Sequence, residues 1–213
     1  MKGINTFTLK VIALLAMLCD HLGHAIFPEL IILRIIGRIS FPIFAYVLVE
    51  GFYYTRDVNK YMLRLGVIAL LSEIPFDLMA SQKILEFGHQ NVFFTLFLGI
   101  LMLYLMSRMV NPLLQFSYAG IAMMAAEFLK TDYRYFGILI ILWFYYWRSN
   151  KWVKYLGVAA IMLLFKGWTG CFTALALVPI ALHNGKRGPK LKWFFYIFYP
   201  AHALVIGLLS LII

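Results

Sequence analysis

Leu9-Lys10-Val11-Ile12-Ala13-Leu14-Leu15-Ala16-Met17-Leu18-Cys19-Asp20-His21-Leu22-Gly23 decides the class of this protein. The run is apolar almost throughout, yet it carries Lys10, Asp20 and His21. A helix that crosses a bilayer needs roughly 20 mostly apolar residues, and the surrounding sequence extends this one to about residues 8–27. A charge at bilayer depth costs about 2.5–3.5 kcal/mol even on lenient scales, so it faces a cavity or a partner. Lys10 and His21 have ten residues between them, which separates them by roughly 16 Å along a helix.

The rest of the chain has the same character. It has 213 residues, of which 63% are hydrophobic and 13% charged, and its mean hydropathy is +0.86. Soluble domains are nearer half apolar and a quarter charged. The composition excludes a disordered chain and is foreign to a soluble enzyme. It predicts an all-α, polytopic transmembrane bundle forming one domain over residues 1–213. Nine apolar windows follow, at about 8–27, 30–53, 60–80, 91–108, 112–129, 134–148, 152–166, 170–183 and 192–212. Nine spans use about 180 residues, which leaves only short loops.

Net charge is +10, from 19 Lys+Arg against 9 Asp+Glu. Basic loops on the cytoplasmic side explain this excess better than nucleic acid does. With the N-terminus inside, the inner segments hold twelve basic residues: Lys2, Arg56, Lys60, Arg64, Arg108, Arg148, Lys151, Lys154, Lys186, Arg187, Lys190 and Lys192. The outer segments hold four: Lys83, Lys130, Arg134 and Lys166. That asymmetry predicts a cytoplasmic N-terminus and, for nine spans, an external C-terminus. The N-terminus has no Ala-x-Ala cleavage signal, so the first span reads as retained. Cys19 and Cys171 lie in apolar runs and read as reduced core residues, not a metal site.

Several spans carry ionisable or amide groups to one layer. His21 falls in the outer half of the first span, Arg34 and Arg38 one turn apart in the outer half of the second, and Glu73 at a similar level in the third. Gln90 and Asn91 open the fourth, and His202 lies near the middle of the ninth. Together they predict a polar pocket in the outer half of the bundle. Blander readings stand beside it. Arg34 and Arg38 pair with Glu73 or Asp77; Glu50 pairs with Arg56 or Lys60; His24 is interfacial; His202 satisfies a carbonyl freed by Pro200. His21, a titratable ring beside a carboxylate at depth, is the hardest to explain as structure alone.

These stretches resemble the TraX family of integral membrane acetyltransferases, whose founding member N-acetylates a conjugative pilin. The matching residues are Leu9 to Ala13, Met17 to Gly23, Phe27-Pro28, Leu33 to Tyr46, Glu50 to Phe52 and Thr55-Arg56. Lys60 to Leu65, Ser72 to Asp77, Gln90 to Val92 with Thr95-Leu96, and Phe198 to His202 complete the pattern. The Lys10–His21 spacing is also similar to that of membrane enzymes that O-acetylate bacterial polysaccharides. Arg38 to Pro42 is similar to a signature of the lysosomal heparan-glucosamine acetyltransferase.

The resemblance implies transfer of an acetyl group from cytosolic acetyl-CoA to an acceptor across a bacterial inner membrane. His21 is then the general base, with Asp20 and Arg38 beside it in the catalytic set. Lys10, Arg34, Arg56, Lys60 and Arg64 hold the CoA phosphates, with Lys186 and Arg187 as further cations. Glu73, Gln90, Asn91 and His202 shape the acceptor site. The acceptor is a peptide N-terminus, a glycan or a small molecule, no metal takes part, and self-association stays open. Asp20 lies about 100° around the helix from His21, so it either neutralises Arg34 or Arg38 or holds His21 through water. The competing class is a proton-coupled transporter or flippase using His21, Glu73 and His202 as a relay. A noncatalytic scaffold fits the buried charges poorly.

Overall fold

The computed structural model describes residues 3–166 and 170–212. Lys2 lies outside them, as do the side chains of Lys166 and Lys192. The described residues are helical and contain no named strand.

Chain chemistry sets the helix ends. Asn5 opens α1 (Thr6–Ala25), its side chain accepting from the Thr8 N–H at 2.9 Å. Asp57, Asn91 and Asn111 cap α4 (Val58–Ser81), α5 (Val92–Ser107) and α6 (Pro112–Phe128) in the same way. α7 (Arg134–Tyr146), α8 (Lys151–Lys166) and α11 (Lys192–Ser210) follow the expected windows closely.

Two windows break. The second divides into α2 (Ile31–Gly37) and α3 (Ser40–Tyr54). Pro42 has no N–H to give the Arg38 carbonyl, so the ladder is interrupted there and tightens into bonds from Arg38 to Ile35 and Ile39 to Ile36. The eighth divides into α9 (Gly170–Thr173), a tight turn over Ala174–Ala176 and α10 (Leu177–Ala181). Pro179 withholds the same bond from Leu175.

The span count is the part of the expectation that meets least support. Among the described residues, three helical segments are long and apolar enough to cross a bilayer: Thr6–Ala25, Ile31–Tyr54 taken through its turn, and Trp193–Ser210. α4 has the length, with 24 residues, but carries Lys60, Arg64, Glu73 and Asp77. Val92–Ser107, Arg134–Tyr146 and Gly170–Ala181 are apolar but shorter.

α3, α5 and α7 form the centre of the molecule, where Ile43, Ala45, Ile100, Leu103, Ile138, Ile140 and Ile141 have no exposed surface. α1, α4 and α11 lean on one side of this centre, and α4 packs along α11 more extensively than any other pair. The outside is apolar too: Leu63, Leu70, Leu71, Phe116, Leu164 and Val205 are all more than half exposed. An apolar rind around an apolar core is what lipid, not water, tolerates.

Because lipid is as apolar as leucine, helix contact here depends on close packing by small residues. A Cβ at Gly99 would lie 2.4 Å from Ile141 Cδ1, and one at Gly157 would lie 1.9 Å from the Trp143 ring. Gly120, on α6, has no neighbour within 4 Å. Gly157→Ala is therefore expected to destabilise by about 1–3 kcal/mol through overpacking. Gly120→Ala is expected to be neutral or stabilising by about 0.5–1 kcal/mol. Thermal unfolding of the two variants in one detergent checks the contrast.

Candidate functional site

Lys10, Leu14, Met17 and His21 recur at intervals of four, three and four residues, so they form one stripe along α1. The stripe runs along two adjoining clefts. The first, a partly open cleft whose empty space of about 700 Å³ includes open solvent, is lined by Lys10, Leu14 and Met17 from α1, Phe44, Val47 and Leu48 from α3, and Tyr61 and Leu65 from α4. Val92, Phe93 and Leu96 from α5 and Phe195, Tyr196 and Tyr199 from α11 complete it. The second, about 330 Å³, is lined by Met17, Asp20, His21, Gly37, Ser40, Phe41, Phe44, Val92, Asp132 and Tyr133. Met17, Phe44 and Val92 belong to both, so one lining continues from Lys10 to His21.

The Lys10 end is basic and aromatic. The Lys10 ammonium lies 5.4 Å from the Phe195 ring centre. Arg64 lies over Tyr61 at 5.9 Å and within electrostatic reach of the Tyr196 hydroxyl. Arg187 comes within electrostatic reach of Lys10 because residues 182–187 strap across the start of α1. Thr6 and Phe7 donate their backbone N–H groups to the Lys186 and Arg187 carbonyls at 2.8 and 3.2 Å. His183 fastens the strap, with Nε2 3.0 Å from the Thr6 hydroxyl and Nδ1 3.0 Å from the Tyr46 hydroxyl. Gly188 closes it with a φ of +72°, in a place where a Cβ would lie 2.6 Å from Asn5 Oδ1.

The His21 end holds opposed charges. Asp20 Oδ2 accepts from Arg34 at 2.9 Å, and Arg34 also donates to the Asp20 backbone carbonyl at 3.2 Å. Oδ1 of Asp20 is buried without a hydrogen-bond partner. Gly37 makes this approach feasible, since a Cβ there would stand 2.2 Å from Asp20 Cβ. Arg38 lies within electrostatic reach of the Tyr133 hydroxyl, and the Tyr133 ring stacks on Phe41 at 3.7 Å. Asp132 faces the cleft and pairs with His89 at 3.3 Å.

His21 does not pair with Asp20. Its Nδ1 lies 2.7 Å from His202 Nε2. His202 Nδ1 in turn lies 2.8 Å from the Phe198 carbonyl. The two rings are nearly parallel, with centres 4.9 Å apart, and Tyr199 meets both edge-on.

The structure thus gathers Lys10, Arg64, Asp20, His21, Arg34, Arg38 and His202 along one lining or against it. It leaves others apart. Arg56 is exposed, and Lys60 is bonded to Asp57 at 3.2 Å outside the clefts. Glu73, Gln90 and Asn91 line neither cleft. Asn91 instead caps α5, donating to Glu73 and to the Ala69 carbonyl, while the Gln90 backbone pairs with Lys130. The proposed Arg34 pairing with Glu73 or Asp77 gives way to Asp20, which is nearer because the α1–α2 connection is short. Glu50 pairs with Arg148, at 2.8 Å, and not with Arg56 or Lys60. His202 bonds the Phe198 carbonyl, not the Tyr196 carbonyl that Pro200 leaves free. Sequence reading missed Ser40, His89, Asp132 and Tyr133. Asp132 stands between Lys130 and Arg134 in a connection read only for its basic charge.

A family model described as TraX protein matches residues 6–210. The chain belongs to the TraX family. Among its relatives is a probable fimbrial assembly protein, FimC of serogroup H1, from Dichelobacter nodosus. It is 28% identical, over 93% of this chain and 92% of the relative. An uncharacterized protein, RP591, of Rickettsia prowazekii (strain Madrid E), is 30% identical over 73% of this chain and 52% of its own length. No solved structure matches. The wider likeness to polysaccharide and heparan acetyltransferases remains a resemblance of motifs.

The Asp20–Arg34 pair is partly shielded, with side chains 22% and 31% exposed. Arg34→Met leaves the carboxylate without its partner and is expected to cost about 1–3 kcal/mol. The Asp20→Asn, Arg34→Met double variant should recover part of that loss. A double-mutant cycle on thermal or denaturant unfolding measures the coupling.

Proposed function

We propose that this TraX protein is an integral membrane acetyltransferase. It moves the acetyl group of cytosolic acetyl-CoA to an amine or hydroxyl acceptor at or beyond the outer half of the bacterial inner membrane, with His21 as general base. The observation that carries the reading is that the cleft at the cationic Lys10 end and the cleft at His21 adjoin, sharing Met17, Phe44 and Val92. CoA is a phosphate-rich head on a slim arm. A head held by Lys10, Arg64 and Arg187 lets the arm run through a cleft walled by Leu14, Met17, Phe44 and Val92, and presents the thioester near His21. The roughly 16 Å between Lys10 and His21 is about half the hydrocarbon thickness.

In the reaction, His21 takes the proton of the acceptor as the acceptor attacks the thioester carbonyl. Arg38 or the nearby Tyr133 hydroxyl stabilises the developing oxyanion. The twelve-to-four distribution of loop cations supports a topology with the Lys10 end inside and the His21 end outside. The name of the Dichelobacter relative favours a surface-fibre subunit as acceptor. A proton-coupled transporter remains the second reading, because the same two histidines lie in a cleft between helices.

Calorimetry with acetyl-CoA and CoA on purified protein tests the donor. Wild type should bind, and Lys10→Ala should weaken binding at least about tenfold, worth about 1.4 kcal/mol. His21→Ala should keep the affinity and lose about 10²–10⁴ in turnover. Wild type that binds neither compound sinks the reading and favours transport. Orientation has its own check: a reporter fused after Ile213 should be active only outside the membrane, and one fused after Arg108 only inside.

A further inference from the structure

His202 was expected to touch the acceptor; its bonds give it a different task. Its Nδ1 faces the Phe198 carbonyl at 2.8 Å, and a carbonyl can only accept. The proton is therefore on Nδ1, and in the uncharged ring Nε2 is a lone pair. That lone pair lies 2.7 Å from His21 Nδ1, so His21 must donate from Nδ1. His21 Nε2 is left unprotonated, with no protein partner among the described residues. We infer that His202 is the positioning residue for His21: through a two-histidine relay ending on the Phe198 carbonyl, it fixes the tautomer in which His21 Nε2 is the base.

The relay also gives the proton a path, and this part rests on the acetyltransferase reading. The acceptor X–H attacks the thioester carbon, an X–C bond forms, and its proton goes to His21 Nε2. The Nδ1 proton of His21 moves to His202 Nε2, whose Nδ1–H stays on the Phe198 carbonyl. The C–S bond breaks, and the protons return along the relay until one reaches the departing thiolate. Acceptor plus acetyl-CoA become acetylated acceptor plus CoA thiol, with both rings restored. The near-coplanar setting of the two rings and the edge of Tyr199 keep the pair aligned between α1 and α11.

The tautomer can be read without any enzyme assay. Protein labelled with ¹⁵N-histidine in nanodiscs contains five histidines, and the His21 signal is assigned by its loss in His21→Ala. Long-range ¹H–¹⁵N correlation should show His21 protonated at Nδ1, the form that free imidazole side chains favour less. His202→Leu should abolish that preference. It should lower turnover by about 10²-fold or more with acetyl-CoA affinity unchanged, in line with the effect of a wrong tautomer elsewhere. His202→Gln, whose side-chain oxygen reaches the place of Nε2, should restore the tautomer and at least tenfold of the turnover. The Phe198 carbonyl keeps its helical partner in both variants, so folding is not at stake. Wild-type His21 protonated at Nε2 overturns the inference, as does equal turnover loss in the Leu and Gln variants. The expected tautomer in a wild type that turns over no acetyl-CoA overturns the acetyltransferase reading instead.

Discussion

A charged side chain among apolar helices in lipid has no water to turn to, and its partner must come from the protein. Asp20 is where this constraint acts most strongly. Its carboxylate accepts from Arg34 through one oxygen, and Gly37 lets α2 come close enough for that bond to form. The break after Gly37, set by Pro42, then allows α3 to leave in a new direction and bring Phe41 and Phe44 to the clefts. With Asp20 committed to α2, His21 is free to face α11. The site is thus divided by charge: the carboxylate belongs to α2, and the imidazole belongs to His202.

The same constraint explains why the two ends of the lining differ. At the Lys10 end, cations lie on aromatic rings instead of carboxylates: Lys10 on Phe195 and Arg64 on Tyr61. A ring face satisfies a cation only in part, which leaves it able to take an anionic ligand. Glu50, the acidic residue expected near the inner helix ends, is already bound to Arg148 and does not compete. At the His21 end, Asp20 and Asp132 line the cleft, Asp20 paired with Arg34, Asp132 with His89 and His21 with His202. Asn91 holds the joint between the ends, since its cap on α5 fixes Val92, which lines both clefts.

Much of this was readable from residue order. The apolar content fixed the helical class, and the charged or Pro/Gly-bearing breaks between apolar runs placed most helix starts to within a few residues. The stripe of Lys10, Leu14, Met17 and His21 is a matter of helical period, and the family likeness rests on short runs of identical residues. The number of crossings is less secure, because α5 to α8 are shorter than a bilayer requires and α4 carries four charges.

What the chain order could not supply is which helical faces meet. Periodicity states that Arg34 and His202 lie on helices, but pairing depends on close helix approach at small residues, such as Gly37 against Asp20 and Gly207 against Leu78 and Met79. Sequence therefore determined the medium, the helices and the unusual charges within them. Only the tertiary structure decided that Asp20 goes to Arg34, that Glu73 and Asn91 tie α4 to α5, and that His21 meets His202. Packing selects one partner among several of equal chemistry, and sequence spacing carries no record of that choice.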